Sequence, residues 1–266
     1  MARSALLGIM VQAASRAGRA LTRDFGEVEK LQVSVKGPAD FVSNADKRAE
    51  KILFEDLSKA RPEYSFLMEE SGEVKGKDKS HRWLIDPLDG TTNFLHGRPH
   101  FCISIALERE DKLAAALIYN PISNELFTAE RGAGAFFNDT RIRVSGRRTL
   151  SEALIGFTMP GLGRTQIAAA EYRQLADLTP RVVGFRDSGS AALDLAWLAA
   201  GRLDGLFLTK LSPWDMAAGI LMVREAGGFV TDIHGGERMY ETGAVVGGNA
   251  EIHPALQQLL ARSAPK

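Results

Sequence analysis

The apolar residues of the first segment recur with the period of an α-helix. Five of them fall three or four residues apart, namely Leu6, Met10, Ala14, Ala17 and Leu21. This spacing predicts an amphipathic first helix with one buried face. Residues 1–23 also contain Arg and Ser without acids, as a transit peptide does, but the periodicity favours the helix. A second helix is predicted from about residue 46 to residue 60, ahead of Pro62.

Short apolar runs follow the second helix and predict strands. They are YSFLM (64–68), RWLID (82–86), FCISIALE (101–108), KLAAALIYNP (112–121), ELFTAE (125–130) and GAFFN (134–138). Because these runs succeed one another without an intervening helical pattern, they predict a mainly antiparallel sheet in the first half of the chain.

From about residue 150 the pattern alternates between strand and helix. The predicted strands are ALIGFT (153–158), RVVGF (181–185), DGLFL (204–208), FVTDI (229–233) and AVVGGN (244–249), and the predicted helices cover about 167–178, 189–201, 212–228 and 253–262. Such alternation is typical of α/β structure. We therefore expect an N-terminal α+β half over residues 1–148 and a C-terminal α/β half over residues 149–266, packed as one compact unit.

The overall composition changes this picture little. The chain of 266 residues contains 33 basic and 33 acidic residues, a balance that argues against a surface that attracts nucleic acid or anionic lipid as a whole. No apolar run is long enough to cross a membrane. Cys102 is the only cysteine and lies in an apolar run, so we expect a buried hydrophobe and no internal disulfide. These features predict a cytoplasmic protein without a membrane partner.

The stretch WLIDPLDGTTNF, residues 83–94, carries two carboxylates close to the end of a predicted buried strand. Left without a partner, Asp86 and Asp89 would repel each other and raise each other's pKa. A cation between them would remove that repulsion. Carboxylates together with a backbone carbonyl favour Mg²⁺ or Mn²⁺, and the five histidines show no zinc-like pair spacing.

The residues between and after these acids fit a turn that exposes backbone groups. Pro87 has no N–H and cannot continue a ladder, which leaves the carbonyl of Leu88 free to act as a ligand. Gly90 permits an unusual backbone angle, and Thr91 stands where a short helix could begin, with N–H groups directed at an anion. A metal beside an anion site suggests phosphate chemistry, in which two metals clamp the attacking and leaving oxygens. The alternative is a simple Asx-type turn.

Further acids occur in three other places. Glu69 and Glu70 follow the predicted strand YSFLM, where they could form a ligand pair or a solvated loop. Asp46 and Asp215 each have a serine three residues upstream, which is a capping-box pattern at a helix start. Capping and metal binding are compatible, because the helix dipole also stabilises an acid at that position.

Three motifs in this order resemble those of the inositol monophosphatase family, and most closely its bacterial branch of the extragenic suppressor type. They are Glu69-Glu70-Ser71, Asp86-Pro87-Leu88-Asp89-Gly90-Thr91-Thr92 and Pro213-Trp214-Asp215. The similarity extends from the first helix to the last. It implies an α/β (α+β) fold, the layered αβαβα sandwich of the inositol monophosphatase and fructose-1,6-bisphosphatase type. It also implies a homodimer and Mg²⁺-dependent hydrolysis of a phosphate monoester.

The resemblance also implies a ligand set for two to three Mg²⁺ ions, for which Mn²⁺ is a substitute. Glu69, Asp86 and the Leu88 carbonyl match the ligands of a first metal. Asp86, Asp89 and Asp215 match those of a second, so Asp86 would bridge the two. A third, weaker site is implied near Glu69 and Glu70.

Catalytic and substrate-binding positions follow from the same resemblance. Thr91 and Asp46 match the pair that orients and deprotonates the attacking water, and Glu70 is included among the catalytic residues. The backbone of Gly90 and Thr91 would receive the phosphate. The implied substrate-binding residues are Glu69, Leu88, Asp89, Gly90, Thr91, Arg186, Gly189, Ser190, Ala191 and Asp215. The alternatives for the segment 186–191 are a place at the subunit interface or a helix start with small residues.

The identity of the substrate is less constrained than the chemistry. Leu208 stands where the family commonly has a Glu that accepts hydrogen bonds from inositol hydroxyls, and loss of such a partner typically costs roughly 1–3 kcal/mol. Met68 replaces a usual Gly. Inositol 1-phosphate is the first choice of substrate. Histidinol phosphate, fructose 1,6-bisphosphate and 3′-phosphoadenosine 5′-phosphate are alternatives, and lithium is a common inhibitor in the family.

A competing hypothesis is a non-catalytic adaptor, since some bacterial relatives are associated with RNA synthesis and ribosome assembly. The segment TRIRVSGRRTL contains four arginines, Arg141, Arg143, Arg147 and Arg148. They could contact RNA or a transcription factor. However, the alternation of arginine with apolar residues favours a solvated strand face, and no aromatic residues are interleaved.

Overall fold

The computed structural model describes residues 3–27, 33–37, 40–157 and 169–263. The helices are α1 (Ala5–Phe25), α2 (Asn44–Ala60), α3 (Thr91–Leu95), α4 (Ala169–Leu178), α5 (Ala191–Ala199), α6 (Pro213–Glu225), α7 (Met239–Thr242) and α8 (Ile252–Ser263). The strands are β1 (Val33–Gly37), β2 (Asp40–Ser43), β3 (Tyr64–Met68), β4 (Gly72–Val74), β5 (Asp78–Asp89), β6 (Cys102–Arg109), β7 (Lys112–Asn120), β8 (Glu125–Glu130), β9 (Gly134–Phe137), β10 (Thr140–Arg141), β11 (Leu154–Phe157), β12 (Gly184–Arg186), β13 (Gly205–Leu208), β14 (Phe229–Thr231) and β15 (Val245–Gly248).

The strands form two large sheets and one hairpin. The first sheet has eight strands in the order β10-β9-β8-β7-β6-β5-β3-β4. All its pairings are antiparallel except the parallel pair β3 and β5, which confirms the predicted antiparallel character of the first half. The second sheet has five strands in the order β12-β11-β13-β15-β14, and β11 pairs in parallel with both neighbours. Strands β1 and β2 form the hairpin.

Helices alternate with these sheets in five layers, so the predicted αβαβα sandwich is confirmed. Helices α1 and α2 cover one face of the eight-stranded sheet, and α5 and α6 lie between the two sheets. Helices α4 and α8 pack together, and α8 contacts the outer face of the five-stranded sheet. Three separate apolar cores fill the spaces between the layers. The predicted division at residue 148 falls between the strands of the two sheets and stays a proposal.

The first helix shows how the sequence pattern becomes packing. Leu7, Met10, Ala14, Ala17 and Leu21 of α1 are buried against the eight-stranded sheet, close to the predicted face. The Ser4 hydroxyl caps this helix by accepting a hydrogen bond from Leu7 N at 3.1 Å. Within the described residues, no helix combines the length and the apolar character needed to span a bilayer.

Several boundaries differ from the predictions. The short elements β1, β2, β4 and α7 were not predicted. Each has at most five residues, which are too few positions to show a period. The helix expected at 167–178 is present as α4 over Ala169–Leu178, and residues 167 and 168 of that prediction lie outside the described part of the chain, as does Thr158 of a predicted strand.

The arginine-rich segment is only partly a strand. Strand β10 ends at Arg141, so the predicted continuous strand is wrong in extent. The alternation is nevertheless real, since Ile142 and Val144 pack against the apolar core while the four arginines are exposed. One of them, Arg147, forms an ion pair with the buried Asp204 at 3.2 Å between Nε and Oδ1. This arginine therefore has a structural partner.

Candidate metal centre

The two acids of the DPLDGTT motif lie on either side of a β-bulge. Asp86 pairs with Ser104 of β6, whereas Asp89 pairs with Cys102, so three steps along β5 match two along β6. The expectation that Pro87 ends the strand is therefore wrong, because the chain returns to the ladder at Asp89 after one extra residue. The bulge turns Leu88 N towards Asp86 Oδ1, to which it donates a hydrogen bond of 2.9 Å.

Gly90 and Thr91 connect the bulge to the short helix α3. Gly90 has a φ of +95°, and a Cβ there would lie 3.1 Å from the His100 carbonyl oxygen. Both the left-handed angle and the tight space require glycine. The Thr91 hydroxyl lies 3.0 Å from the Leu88 carbonyl oxygen and 3.5 Å from Asp46 Oδ2. The predicted neighbours Thr91 and Asp46 are thus brought together.

Asp89 is held by the start of α5. It accepts hydrogen bonds from the Ser190 hydroxyl at 2.6 Å and from Ala192 N at 2.7 Å. Burial raises the pKa of Asp89, and the hydrogen bonds from Ser190 and from the first backbone N–H groups of α5 oppose that shift. These donors favour the carboxylate form, which is the form that binds cations.

Asp215 lies in the first turn of α6 and is fixed in two ways. Its Oδ2 accepts a hydrogen bond from Ser212 N at 2.8 Å, so the predicted capping role is confirmed. The Ser104 hydroxyl donates to the Trp214 carbonyl oxygen at 3.2 Å. Since Ser104 pairs with Asp86 across the ladder, this bond ties the start of α6 to the strand position opposite Asp86.

Asp86 is the electrostatic centre of the site. It is 2% exposed. Burial raises its pKa well above the ordinary value, and the carboxylates of four neighbours raise it further, namely Glu69, Asp89, Asp215 and Asp46. A carboxyl group in such surroundings resists ionisation unless a cation offsets the negative charge. The mutual repulsion that was predicted for the pair Asp86 and Asp89 therefore extends to five acids.

Three of the acids also form a compact group. Asp46, Glu69 and Glu70 each present one carboxylate oxygen, and these oxygens lie within 4.8 Å of one another. Asp46 is buried, while the two glutamates are half-buried. Oxygen-only donors at this separation suit a hard divalent cation such as Mg²⁺. The donor set therefore fits the metal that the sequence implies, and the assignment of ligands to separate ions stays a prediction.

The segment 186–191 contributes Ser190 to the site. The Ser190 side chain is 1% exposed and donates to Asp89, so its hydroxyl already has an acceptor within the protein. Gly189 and Arg186 are exposed, and the Arg186 guanidinium donates to the carbonyl of Phe185 at 2.8 Å. A substrate contact by Arg186, Gly189, Ser190 or Ala191 stays a prediction.

The two departures from the family pattern are both buried. Leu208 is fully buried in the apolar core between the sheets, and Met68 is 2% exposed in the core beneath α1 and α2. The side chain of Leu208 therefore offers no hydrogen-bonding group.

Two residues that organise the site were missed in the sequence. Ser104 was treated only as part of an apolar strand, although a lone hydroxyl in a buried run signals a specific partner. Asn93 was treated only as part of the motif. Its amide donates to the carbonyls of His100 and Ser188, both at 2.7 Å. This side chain therefore joins α3 to the loop that precedes α5.

Comparisons with known proteins agree with this geometry. Residues 3–266 match the description of the inositol monophosphatase family. The chain is 59% identical over 256 residues to an inositol-1-monophosphatase of Mesorhizobium japonicum, with 96% of each chain covered. It is also 43% identical over 251 residues to the Nus factor SuhB of Escherichia coli K12, with 94% of each covered.

A solved structure of a relative has the same fold as this chain. The extragenic suppressor protein suhB from Bartonella henselae superposes with a TM-score of 0.95 at 56% sequence identity, covering 98% of this chain and 100% of that one. The resemblance stated from the three motifs is confirmed over nearly the whole length. The chain belongs to the inositol monophosphatase family.

Proposed function

We propose that this protein is a Mg²⁺-dependent phosphatase that hydrolyses inositol 1-phosphate to inositol and phosphate. The observation that carries the proposal is the convergence of Glu69, Asp89, Asp215 and Asp46 on the buried Asp86. Repulsion among these carboxylates destabilises the metal-free protein, and bound divalent cations would offset it. The substrate is proposed from the relative in Mesorhizobium japonicum, which is named inositol-1-monophosphatase.

The residues that hold and move the reacting groups follow from the contacts. Two to three Mg²⁺ ions, replaceable by Mn²⁺, would bind to Glu69, Asp86, Leu88 O, Asp89 and Asp215, with a weaker site at Glu69 and Glu70. Bound there, the metal supplies positive charge that offsets the phosphate and the acids and makes water more acidic.

The proton of the attacking water has a path within the chain. The Thr91 hydroxyl lies between Leu88 O and Asp46 Oδ2, so it can accept a hydrogen bond from water while it donates to Asp46. Asp46 then holds the proton that the water loses, and the backbone N–H groups of Gly90 and Thr91 orient the phosphate. The water oxygen bonds to phosphorus, the P–O bond to the alcohol breaks, and the alcohol oxygen takes up a proton from solvent, to which Asp46 returns the proton that it holds.

We further propose that the protein acts in the cytoplasm as a homodimer and is inhibited by lithium. An adaptor role in RNA synthesis is the second candidate, supported by the similarity to the Nus factor SuhB of Escherichia coli. Within the described residues, the exposed arginines of 141–148 are the feature that would serve it. Arg147 forms an ion pair with Asp204, so fewer of these arginines are available to bind RNA.

The test of the enzyme proposal is phosphate release from a panel of esters, with Mg²⁺ and with chelator. The panel contains inositol 1-phosphate, histidinol phosphate, fructose 1,6-bisphosphate and 3′-phosphoadenosine 5′-phosphate. We expect Mg²⁺-dependent release that is fastest for inositol 1-phosphate. Faster release from another ester would retain the mechanism and replace the substrate, whereas no release from any ester would move the assignment to the adaptor.

A further inference from the structure

Glu50 is a buried acid that the proposed reaction does not use. It lies in α2, one helical turn after Asp46, and is 3% exposed. Apart from Asp46 and Glu50, the buried residues of this helix are apolar, namely Ala45, Ala49, Leu53 and Leu57. A carboxylate is costly at such a position unless hydrogen bonds satisfy it. An apolar side chain would fill the same space without that cost, so packing does not explain the choice of Glu.

Within the part of the chain that the structure describes, the hydrogen bonds of the Glu50 side chain reach one loop. Its Oε2 accepts from Glu70 N at 2.8 Å, and its Oε1 accepts from the Ser71 hydroxyl. The loop leaves β3 at Met68 and carries Glu69 and Glu70. The backbone N–H of Glu69 is itself fixed by a 3.2 Å bond to the carbonyl of Ile85 in β5. The loop is thus attached to β5 on one side and to α2 on the other.

These attachments act on the compact group of acids. Asp46 and Glu50 lie on one face of α2, and the carboxylate oxygens of Asp46, Glu69 and Glu70 lie within 4.8 Å of one another. Through its two bonds, Glu50 fixes where the loop stands relative to Asp46. Without them the loop could move away from α2 and relieve the repulsion among the three acids.

We infer that Glu50 is a positioning residue, which holds the Glu69-Glu70 loop against α2 so that both glutamates are in place for a divalent cation beside Asp46. The inference rests on the proposed function only for the identity of the cation. Groups that orient metal ligands typically contribute roughly 10–100-fold to metal affinity.

The test is calorimetric titration of Mg²⁺ into the substrate-free protein, for wild type and four variants. Glu50→Ala removes both acceptors, and Ser71→Ala removes one of the donors from an exposed position. Glu50→Gln keeps the geometry, because its amide oxygen can accept from Glu70 N while its amide nitrogen donates to the Ser71 hydroxyl. Glu55→Gln is the matched control, since Glu55 is an exposed residue of the same helix.

We expect Glu50→Ala to weaken Mg²⁺ binding by roughly 10–100-fold, Ser71→Ala to weaken it less, and Glu50→Gln and Glu55→Gln to bind as wild type does. Unchanged affinity in Glu50→Ala would overturn the inference. Equal weakening in Glu50→Gln and Glu50→Ala would also overturn it, because charge and not position would then matter. If Glu50→Ala does not fold, Ser71→Ala decides, with weaker binding in support and unchanged binding against.

The same variants separate this inference from the proposed function. Calorimetry needs no substrate, so a wild-type protein that releases no phosphate leaves the metal test intact. If the wild type is active, Glu50→Ala should raise the Mg²⁺ concentration for half-maximal hydrolysis and retain kcat at saturating Mg²⁺. A fall in kcat with an unchanged Mg²⁺ requirement would contradict a positioning role.

Discussion

At the scale of single residues, the clustered acids of the proposed metal site destabilise the metal-free protein. Burial raises the pKa of Asp86, and the carboxylates of four neighbours raise it further. In the metal-free protein this repulsion opposes folding. Hydrogen bonds compensate in part, as from Leu88 N to Asp86 and from Ser190 to Asp89. The balance should therefore depend on whether a metal is present.

Replacement of Asp86 by Asn tests how the charge of this residue affects stability. Asn removes the charge and keeps an oxygen that can accept from Leu88 N. We expect Asp86→Asn to unfold at a higher temperature than wild type in chelator, by roughly 2–4 °C for each kcal/mol of relieved repulsion. The variant should lose both phosphatase activity and stabilisation by Mg²⁺. Thermal unfolding with chelator and with Mg²⁺ measures both effects, and a lower midpoint in chelator would contradict the repulsion.

Asp194 provides a second prediction, which concerns pH. Burial raises its pKa from 3.8 to about 7, against a smaller opposing effect of the Ser188 hydroxyl. Folding therefore favours the protonated form, so this contribution to stability is complete below pH 4 and is lost as the pH rises through about 7. The loss is at most about 4 kcal/mol, since one pKa unit corresponds to about 1.4 kcal/mol.

Asp194→Asn should remove that loss. Between pH 5 and pH 8 in chelator, we expect the free energy of unfolding of wild type to fall relative to that of Asp194→Asn. Urea unfolding at the two pH values measures the difference. Asp111→Asn, at an exposed aspartate, serves as the control and should follow wild type. A parallel course of wild type and Asp194→Asn would show that Asp194 does not titrate in this range.

At the scale of elements, the close contact of α5 and α6 positions two of the proposed ligands. The start of α5 holds Asp89, and the first turn of α6 contains Asp215. A Cβ on Gly219 of α6 would lie 2.3 Å from Leu195 Cβ of α5. Any side chain at position 219 must therefore push the two helices apart.

Gly219→Ala is expected to destabilise the protein by about 1–3 kcal/mol through this overpacking. Because the separation also moves Asp89 from Asp215, the variant should need more Mg²⁺ for activity. The control is Gly8→Ala in α1, where a Cβ would meet no atom within 4 Å and Ala should stabilise the helix by roughly 0.5–1 kcal/mol. Urea unfolding of both variants measures the contrast, and equal stabilities would contradict the close packing.

The elements also show which patterns are sufficient for prediction. The long helix α1 and the apolar strands β6 and β7 were predicted correctly, because each repeats its pattern over eight residues or more. The end of β5 was not, since Pro87 reads locally as a strand breaker. The strand continues past Pro87 through a bulge, because Asp89 pairs with Cys102 of β6. The residues of the motif alone do not show this pairing.

At the scale of the whole molecule, five layers bring together acids that are far apart in the chain. Asp46 comes from the outer helical layer, Glu69 directly follows β3, Asp86 lies near the C-terminal end of β5, and Asp215 comes from the central helical layer. Three apolar cores between the layers fix these elements relative to one another. The site thus lies at a meeting point of rigid elements, where small shifts of one layer would separate the ligands.

Properties that depend on near neighbours could be predicted before the fold was known. Side-chain chemistry predicted a hard oxygen site, the glycine at position 90 predicted an unusual turn, and three ordered motifs predicted the family. Which acids meet depends instead on how distant segments of the chain pack together. The bond from Ser104 to Trp214 spans 110 residues, and that from Glu70 to Glu50 spans 20. Such contacts arise from strand register and helix packing, which are set by the complementarity of distant surfaces and leave no local pattern.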